Sequence, residues 1–184
     1  MVYIRGSQRG WSLAEMLVAV AIALVLLTLA VPAMGRWLDR WQLDTAVHAV
    51  LSDLALIRSE AIRRGGLVVM CTAPDTASAC DDTRDWSSGR LLFVDLNGNA
   101  RRDADEPIVR HGERLPGGWV LKGNTPVRRY VAYHASGRTR QVSGALQMGT
   151  FTLCKPGSGM NGRQIVISAS GRPRVQAAAA NACG

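Results

Sequence analysis

Two different hydrophobic patterns follow each other in the first third of the chain. Residues 16–34 form a run of 19 residues without a charged side chain, which is long enough to cross a bilayer as a helix. From residue 36 to residue 64, apolar residues recur instead at steps of three and four, which predicts an amphipathic helix. Charged residues, including Asp53 and Glu60, are expected on its other faces. The predicted apolar stripe comprises Leu43, Val47, Val50, Leu54, Ile57 and Ala61.

Beyond Gly66 the pattern changes to short apolar runs separated by turn residues. Two of these runs alternate apolar and polar positions, as a half-buried strand does. Their number and spacing predict an all-β sandwich capped by the helix. The predicted strands are LVVMC, RLLFVD, WVLK, RYVAYH, TFTLC and QIVISA. The predicted fold class is therefore α+β, with a long N-terminal helix followed by a globular β-sandwich-like domain.

Charge is distributed unevenly along the 184 residues, whose net charge is +8. Residues 1–106 carry 11 Arg against 13 Asp and Glu, whereas residues 107–184 carry 11 Arg and Lys against a single Glu. The basic character thus belongs to the C-terminal part. Arginine offers a planar fork that suits phosphate. A genome rich in G and C would produce the same excess of Arg without any function.

All four cysteines follow the uncharged run. None lies in a C-x-x-C pair or near a histidine, which argues against a zinc site. An even number beyond a membrane segment indicates two disulfides in an oxidising compartment. Of the three possible pairings we predict Cys71 with Cys80 and Cys154 with Cys183, because each closes a plausible local loop.

No group of residues points to catalysis, to a cofactor or to a metal. The three histidines are scattered, and no serine lies in a nucleophile motif. Residues 95–106, DLNGNARRDADE, place acidic and amide side chains at the positions of a calcium loop. However, Ala100 replaces the turn glycine, and Arg101 and Arg102 oppose a cation. We therefore expect a turn-rich hairpin loop there and a protein that is not an enzyme.

A short basic leader precedes the uncharged run. It ends at Gly10, Trp11 follows, and Glu15 is the fifth residue after that glycine. A carboxylate in an apolar helix is costly unless it is paired, so Glu15 marks a functional contact. An ordinary secretory signal cleaved near LAVPAM is the alternative. The coincidence of leader, glycine, glutamate and apolar run resembles the N-terminal signal of type IV pilins and pseudopilins.

The resemblance implies a processing step, a membrane anchor and an assembly partner. In that family a prepilin peptidase cuts after the glycine and methylates the new amine, which here places the cut between Gly10 and Trp11. Glu15 is then expected to pair with the N-terminal amine of a neighbouring pilin or minor pilin subunit. The basic leader stays cytoplasmic by the positive-inside rule, so a single span in the inner membrane leaves the C-terminal domain in the periplasm.

The implied domain organisation has four parts. Residues 1–10 are the leader that is removed, and residues 11–35 are the transmembrane helix. Residues 36–66 are the amphipathic helix that continues into the globular domain. Residues 67–184 are the β-rich periplasmic domain.

A hexapeptide that occurs twice in nearly the same form indicates a possible anion-binding surface. ASGRTR at residues 135–140 and ASGRPR at residues 169–174 each follow an apolar run and form a turn that exposes Arg side chains, which suits phosphate. A repeated β-turn with solvated arginines is the alternative. The second copy resembles the G-R-x-R motif with which FimT minor pilins of natural transformation bind DNA. The residues so predicted to bind duplex DNA are Gly171, Arg172 and Arg174, with Arg138, Arg140 and Arg163 as extensions of the same patch.

The resemblance to the FimT and GspH group, which includes FimU, extends from the leader to the C-terminal residues and includes the segment LIRSEAIRRG. It implies one of two functions. The first is a FimT-like minor pilin that assembles into a type IV pilus and binds incoming DNA. The second is a FimU-like minor pilin or a GspH-like type II secretion pseudopilin that primes filament assembly without binding DNA.

Overall fold

The computed structural model of the chain describes residues 12–179 and 182, without the side chains of residues 29–33. It divides into two compact units, Met1–Trp41 and Gln42–Gly184. Helix α1, Leu13–Arg64, contributes to both units. In the first unit, apolar side chains of α1 such as Leu17, Val20 and Leu24 are exposed. No helix in the described part of the chain combines the length and the hydrophobicity of a membrane span.

The second unit contains two antiparallel sheets. Within the described residues the strands are β1 Leu67–Thr72, β2 Arg90–Asp95, β3 Ile108–Gly112, β4 Val120–Gly123, β5 Tyr130–Tyr133, β6 Gly149–Cys154, β7 Arg163–Ile167 and β8 Pro173–Ala177. The first sheet has the order β3-β2-β1-β5 and the second has the order β4-β6-β7-β8. Short 3-10 helices span Trp86–Ser88 and Thr125–Val127.

The apolar stripe of α1 completes the core between the two sheets. All six residues of the predicted stripe are buried, with Val50, Leu54 and Ile57 fully inaccessible. They pack with Val131 of the first sheet and Phe151 of the second in one continuous cluster. The predicted α+β fold class is confirmed, and each of the six predicted apolar runs overlaps a strand. Strands β3 and β8 were not predicted.

Strands β1 and β2 of the first sheet are buried on both faces, and a disulfide closes a segment that packs on the outer face. Val69, Leu91 and Phe93 form a second apolar cluster there, together with Cys71. The predicted bond between Cys71 and Cys80 is confirmed. Cys154 is also disulfide-bonded, and its predicted partner, residue 183, lies outside the described residues.

A buried ion pair joins α1 to the first sheet. Asp53, which is predicted to lie on a face of the helix other than the apolar stripe, is fully inaccessible. Its Oδ2 accepts a hydrogen bond of 2.7 Å from Nε of Arg90, which is itself 2% exposed. Its Oδ1 lies 3.4 Å from Nη2 of Arg110 but accepts no hydrogen bond. A charged residue outside the apolar stripe is therefore also buried, because a partner on β2 neutralises it.

Candidate nucleic-acid interface

The first arginine turn, residues 134–140, follows β5 at the end of the first sheet. The amide of Gly137 donates to the His134 carbonyl at 2.8 Å, and the amide of His134 donates to the Arg138 carbonyl at 2.9 Å. Gly137 has a φ of 71°, in the left-handed region that glycine adopts without strain. This combination is a type I turn followed by a left-handed residue, a common three-residue hairpin loop.

The second arginine turn, residues 168–174, joins β7 to β8 in the second sheet and has the same design. The amide of Gly171 donates to the Ser168 carbonyl at 2.8 Å, and the amide of Ser168 donates to the Arg172 carbonyl at 3.5 Å. Gly171 has a φ of 74°. The repeated hexapeptide therefore encodes a repeated hairpin turn.

The two turns are in contact, although they belong to different sheets. A Cβ atom at Gly171 would overlap the carbonyl oxygen of Gly137 and would lie 2.8 Å from the ring of Tyr133. The carbonyl of Gly171 also accepts hydrogen bonds from Tyr133 Oη at 2.6 Å and from Arg58 Nη1 at 3.4 Å. The ends of the two sheets and helix α1 thus meet at this glycine.

Two arginines follow the glycine of each turn at the same positions of the repeat, and we call Arg138, Arg140, Arg172 and Arg174 the arginine surface. All four are exposed, whereas both turn glycines are buried. None of the four has an ion-pair partner within residues 12–179. Their guanidinium groups are therefore available to an anion, and the turns that carry them are in contact.

Arg163 is not brought to the arginine surface. It is the first residue of β7, where it pairs with Leu153 and Ala177. The second arginine turn begins only after Ile167, at the other end of the strand. At about 3.3 Å per residue, Arg163 lies roughly 16 Å along the strand from Ser168.

The sequence motifs did not identify Tyr133 and Arg58 as neighbours of Gly171. They are separated from it by 38 and 113 residues. Tyr133 belongs to a run predicted as a strand, and Arg58 to the predicted amphipathic helix. No local pattern could therefore have indicated these contacts.

The predicted processing and assembly residues lie in or before the first turn of α1. Gly10 and Trp11 are outside the described residues. Glu15 is exposed, and its amide donates to Ser12 Oγ at 3.2 Å. Ser12 and Glu15 have the spacing of a capping box, and a carboxylate near a helix N-terminus interacts favourably with the helix dipole. Glu15 is therefore also favourable for the N-terminus of α1, independently of any neighbouring subunit.

The loop between β2 and β3 is closed by its own hydrogen bonds, as the predicted hairpin requires. Asp95 accepts from the amides of Gly98 and Ala100, and Glu106 accepts from those of Leu96 and Asp103. These hydrogen bonds stabilise the turns of the loop. Among the described residues, no group of three or more His, Cys, Asp or Glu side chains is arranged to hold a metal ion.

Comparison with known proteins identifies the family. The family model described as Type II transport protein GspH matches residues 46–171, which is more than half of the chain. The chain belongs to the GspH family. The matched region includes the buried stripe of α1 from Val47 onward, both sheets up to β7, and the two turn glycines. GspH-family proteins are structural pilins and pseudopilins.

Solved structures and a curated relative agree with this assignment. Two crystal structures of the type IV minor pilin FimU from Pseudomonas aeruginosa share the fold, with TM-scores of 0.57 and 0.53 and identities of 20% and 22%. They cover 79% and 77% of this chain and 95% and 97% of their own. Pilin-like protein PilA1 from Thermus thermophilus is 35% identical over 100 residues. That match covers 54% of this chain and 56% of the relative, so the chain spans little more than half of that protein's length.

Proposed function

We propose that this GspH-family chain is a FimT-like minor type IV pilin that binds incoming duplex DNA in natural transformation. The observation that carries the proposal is the arginine surface, in which two turns of one design lie in contact and present four exposed guanidinium groups. Hydrogen bonds from Arg to phosphate are charge-assisted and often bidentate. Two adjacent turns can therefore bind more than one phosphate of the same backbone.

The binding is weak and without sequence preference. Reading a base sequence requires an element that enters a groove and contacts base edges. The arginines stand instead on hairpin turns, which suit the phosphate backbone. Such contacts are electrostatic, and their affinity falls as salt rises.

The N-terminal segment connects this surface to a filament. We propose that prepilin peptidase cuts between Gly10 and Trp11, and that residues 11–35 hold the protein in the inner membrane with its C-terminal domain in the periplasm. Glu15 then pairs with the N-terminal amine of a neighbouring subunit during assembly. Exposed apolar side chains along the first unit support this, because such surfaces are normally covered by a partner or by lipid. The protein has no catalytic role in this proposal.

A structural subunit that does not bind DNA is the second candidate function. The match to the GspH family and the likeness to the FimU fold favour it. In this case the chain primes a type IV pilus or a type II secretion pseudopilus, and the four arginines are solvated turn residues. The two candidates differ in one measurable property, which is DNA binding through the arginine surface.

The deciding experiment is a salt titration of the full-length chain in detergent micelles with a fluorescent DNA duplex. Each phosphate contact contributes about 0.9 to the slope of log affinity against log salt, so R172A combined with R174A should flatten the slope by roughly one to two units. The control is R84A, because Arg84 is exposed but paired with Asp81 at 3.0 Å. Two duplexes of unrelated sequence should bind alike. If the double variant binds like the wild type, the structural subunit is the better assignment.

A further inference from the structure

The carbonyl oxygen of Gly171 connects three parts of the second unit. Tyr133, at the end of β5, donates its hydroxyl hydrogen to this oxygen at 2.6 Å. Arg58, on α1, donates from Nη1 to the same oxygen at 3.4 Å. Gly171 is the central residue of the second arginine turn, so two side chains from distant elements hold that turn at its centre.

The first arginine turn is held at the same place. A Cβ atom at Gly137 would lie 3.2 Å from Nε of Arg58 and 3.0 Å from Cδ1 of Ile62. Arg58 therefore lies against both turns, and the helix supports the first turn directly. Since each turn also contacts the other through its glycine, neither can shift without disturbing its neighbour.

The Tyr133 hydroxyl is a dependable donor. Its side chain is fully inaccessible, and burial raises the pKa of Tyr133 to about 12, although the nearby Arg58 charge opposes the shift. The hydroxyl therefore keeps its proton throughout the physiological pH range. The hydroxyl can therefore donate to the Gly171 carbonyl at any pH in that range.

We infer that Tyr133 and Arg58 are positioning residues of the arginine surface, which hold the two turns at a fixed separation so that their arginines engage one DNA backbone together. This inference rests on the DNA-binding function proposed above. Binding costs less when the contacting groups are already held in place, because less motion is lost on association. Neither residue needs to touch DNA for its loss to weaken binding.

The test combines Y133F with the arginine substitutions in the full-length chain. Y133F removes only the hydroxyl, and we expect the affinity for a DNA duplex to fall by up to ~10-fold, because the net contribution of one hydrogen bond is the upper limit of the loss. In the R172A and R174A background, Y133F should have almost no further effect, because the turn it positions no longer contacts phosphate. Y130F is the matched control. Tyr130 begins the same strand, and its hydroxyl accepts from the Val142 amide, away from both glycines.

A second readout does not depend on DNA. Y133F should speed hydrogen exchange at the Gly137 and Gly171 amides relative to the wild type and to Y130F. At position 58, R58K should retain more affinity than R58M, since lysine can still donate to the carbonyl. Equal weakening by Y133F in both arginine backgrounds would overturn the inference, as would wild-type affinity in Y133F.

The two proposals can fail separately. If exchange rises at both glycines but the affinity is unchanged, the contacts hold the turns without positioning them for DNA, and only this inference fails. If the wild-type chain does not bind DNA at all, the proposed function fails, and the inference fails with it.

Discussion

Arginines in two regions of the second unit are used in opposite ways. On β2 and in the loop that follows it, arginine side chains are bound within the fold itself. Arg90 is buried against Asp53, and Arg102 donates to the backbone carbonyls of Ser78, Ala104 and Glu106. On the paired hairpin turns, the four guanidinium groups have no ion-pair partner within the described residues and face solvent.

The difference shows why composition alone could not indicate where a ligand binds. A guanidinium that already donates to a carboxylate or to carbonyls must break those hydrogen bonds before it can bind a phosphate. An exposed guanidinium on a turn that the fold holds in place can bind a phosphate at little cost. The same residue type therefore stabilises the fold in one region and is free for recognition in the other.

The largest expected effect is a loss of folding stability when the buried arginine, Arg90, loses its carboxylate partner. D53A leaves Arg90 inaccessible and without its partner, which typically costs about 3–5 kcal/mol when one member of a buried pair is removed. Urea denaturation of the full-length chain measures the loss. Under conditions where the variant is folded, the slope of DNA affinity against salt should be unchanged.

D44A is the matched control, because Asp44 is an exposed carboxylate on the same helix. A surface substitution of this kind should stay within about 0.5 kcal/mol of the wild type. If D53A were no more destabilising than D44A, the buried ion pair would make no measurable contribution to the free energy of unfolding.

A smaller effect tests the contact between the two turns. In G171A the added methyl group meets the Gly137 carbonyl and the Tyr133 ring, and overpacking of this kind costs roughly 1–3 kcal/mol. A left-handed conformation costs a further ~1–2 kcal/mol for a residue with a Cβ. DNA affinity should fall although all four arginines remain. Denaturation and DNA titration of the same sample measure both effects.

G144A separates the two costs. Gly144 has a φ of 82°, but a Cβ atom there meets nothing within 4 Å. It should therefore show the backbone cost alone and no change in DNA affinity. Equal losses in G144A and G171A would mean that the contact between the turns contributes little.

The core of the fold could be predicted because burial leaves a periodic signal. The stripe of α1 and six strands each have a buried face, and the predicted positions match. Strand β8 has no such face, since four of its five residues are exposed. It also begins at Pro173 within the predicted turn. Strand β3 is largely exposed as well, so these two strands lack the pattern on which the prediction depends.

The site could be predicted only in its local parts. Glycine followed by arginine predicts each turn by itself. Nothing local indicates that the two turns touch, because one ends a strand of the first sheet and the other joins two strands of the second. For the same reason the burial of Asp53 could not be predicted, since its partner Arg90 is 37 residues away. Packing between distant segments decides both features.

The smallest expected effect is a difference in DNA binding between two arginines that the sequence analysis assigned to the same patch. Arg138 belongs to the arginine surface, and its Cα would lie 3.3 Å from a Cβ at Gly171, whereas Arg163 begins β7 at the far end of that strand. A duplex bound by the two turns contacts Arg138 before Arg163. R138A should therefore lower the slope of log affinity against log salt by up to ~0.9, the contribution of one phosphate contact. R163A should lower it by clearly less, because its charge acts from roughly 16 Å along the strand, beyond the Debye length at physiological salt. Parallel titrations of the two variants with one duplex decide the question. Equal losses would mean that the DNA path continues along β7, and the interface would then be a strand face rather than the paired turns alone.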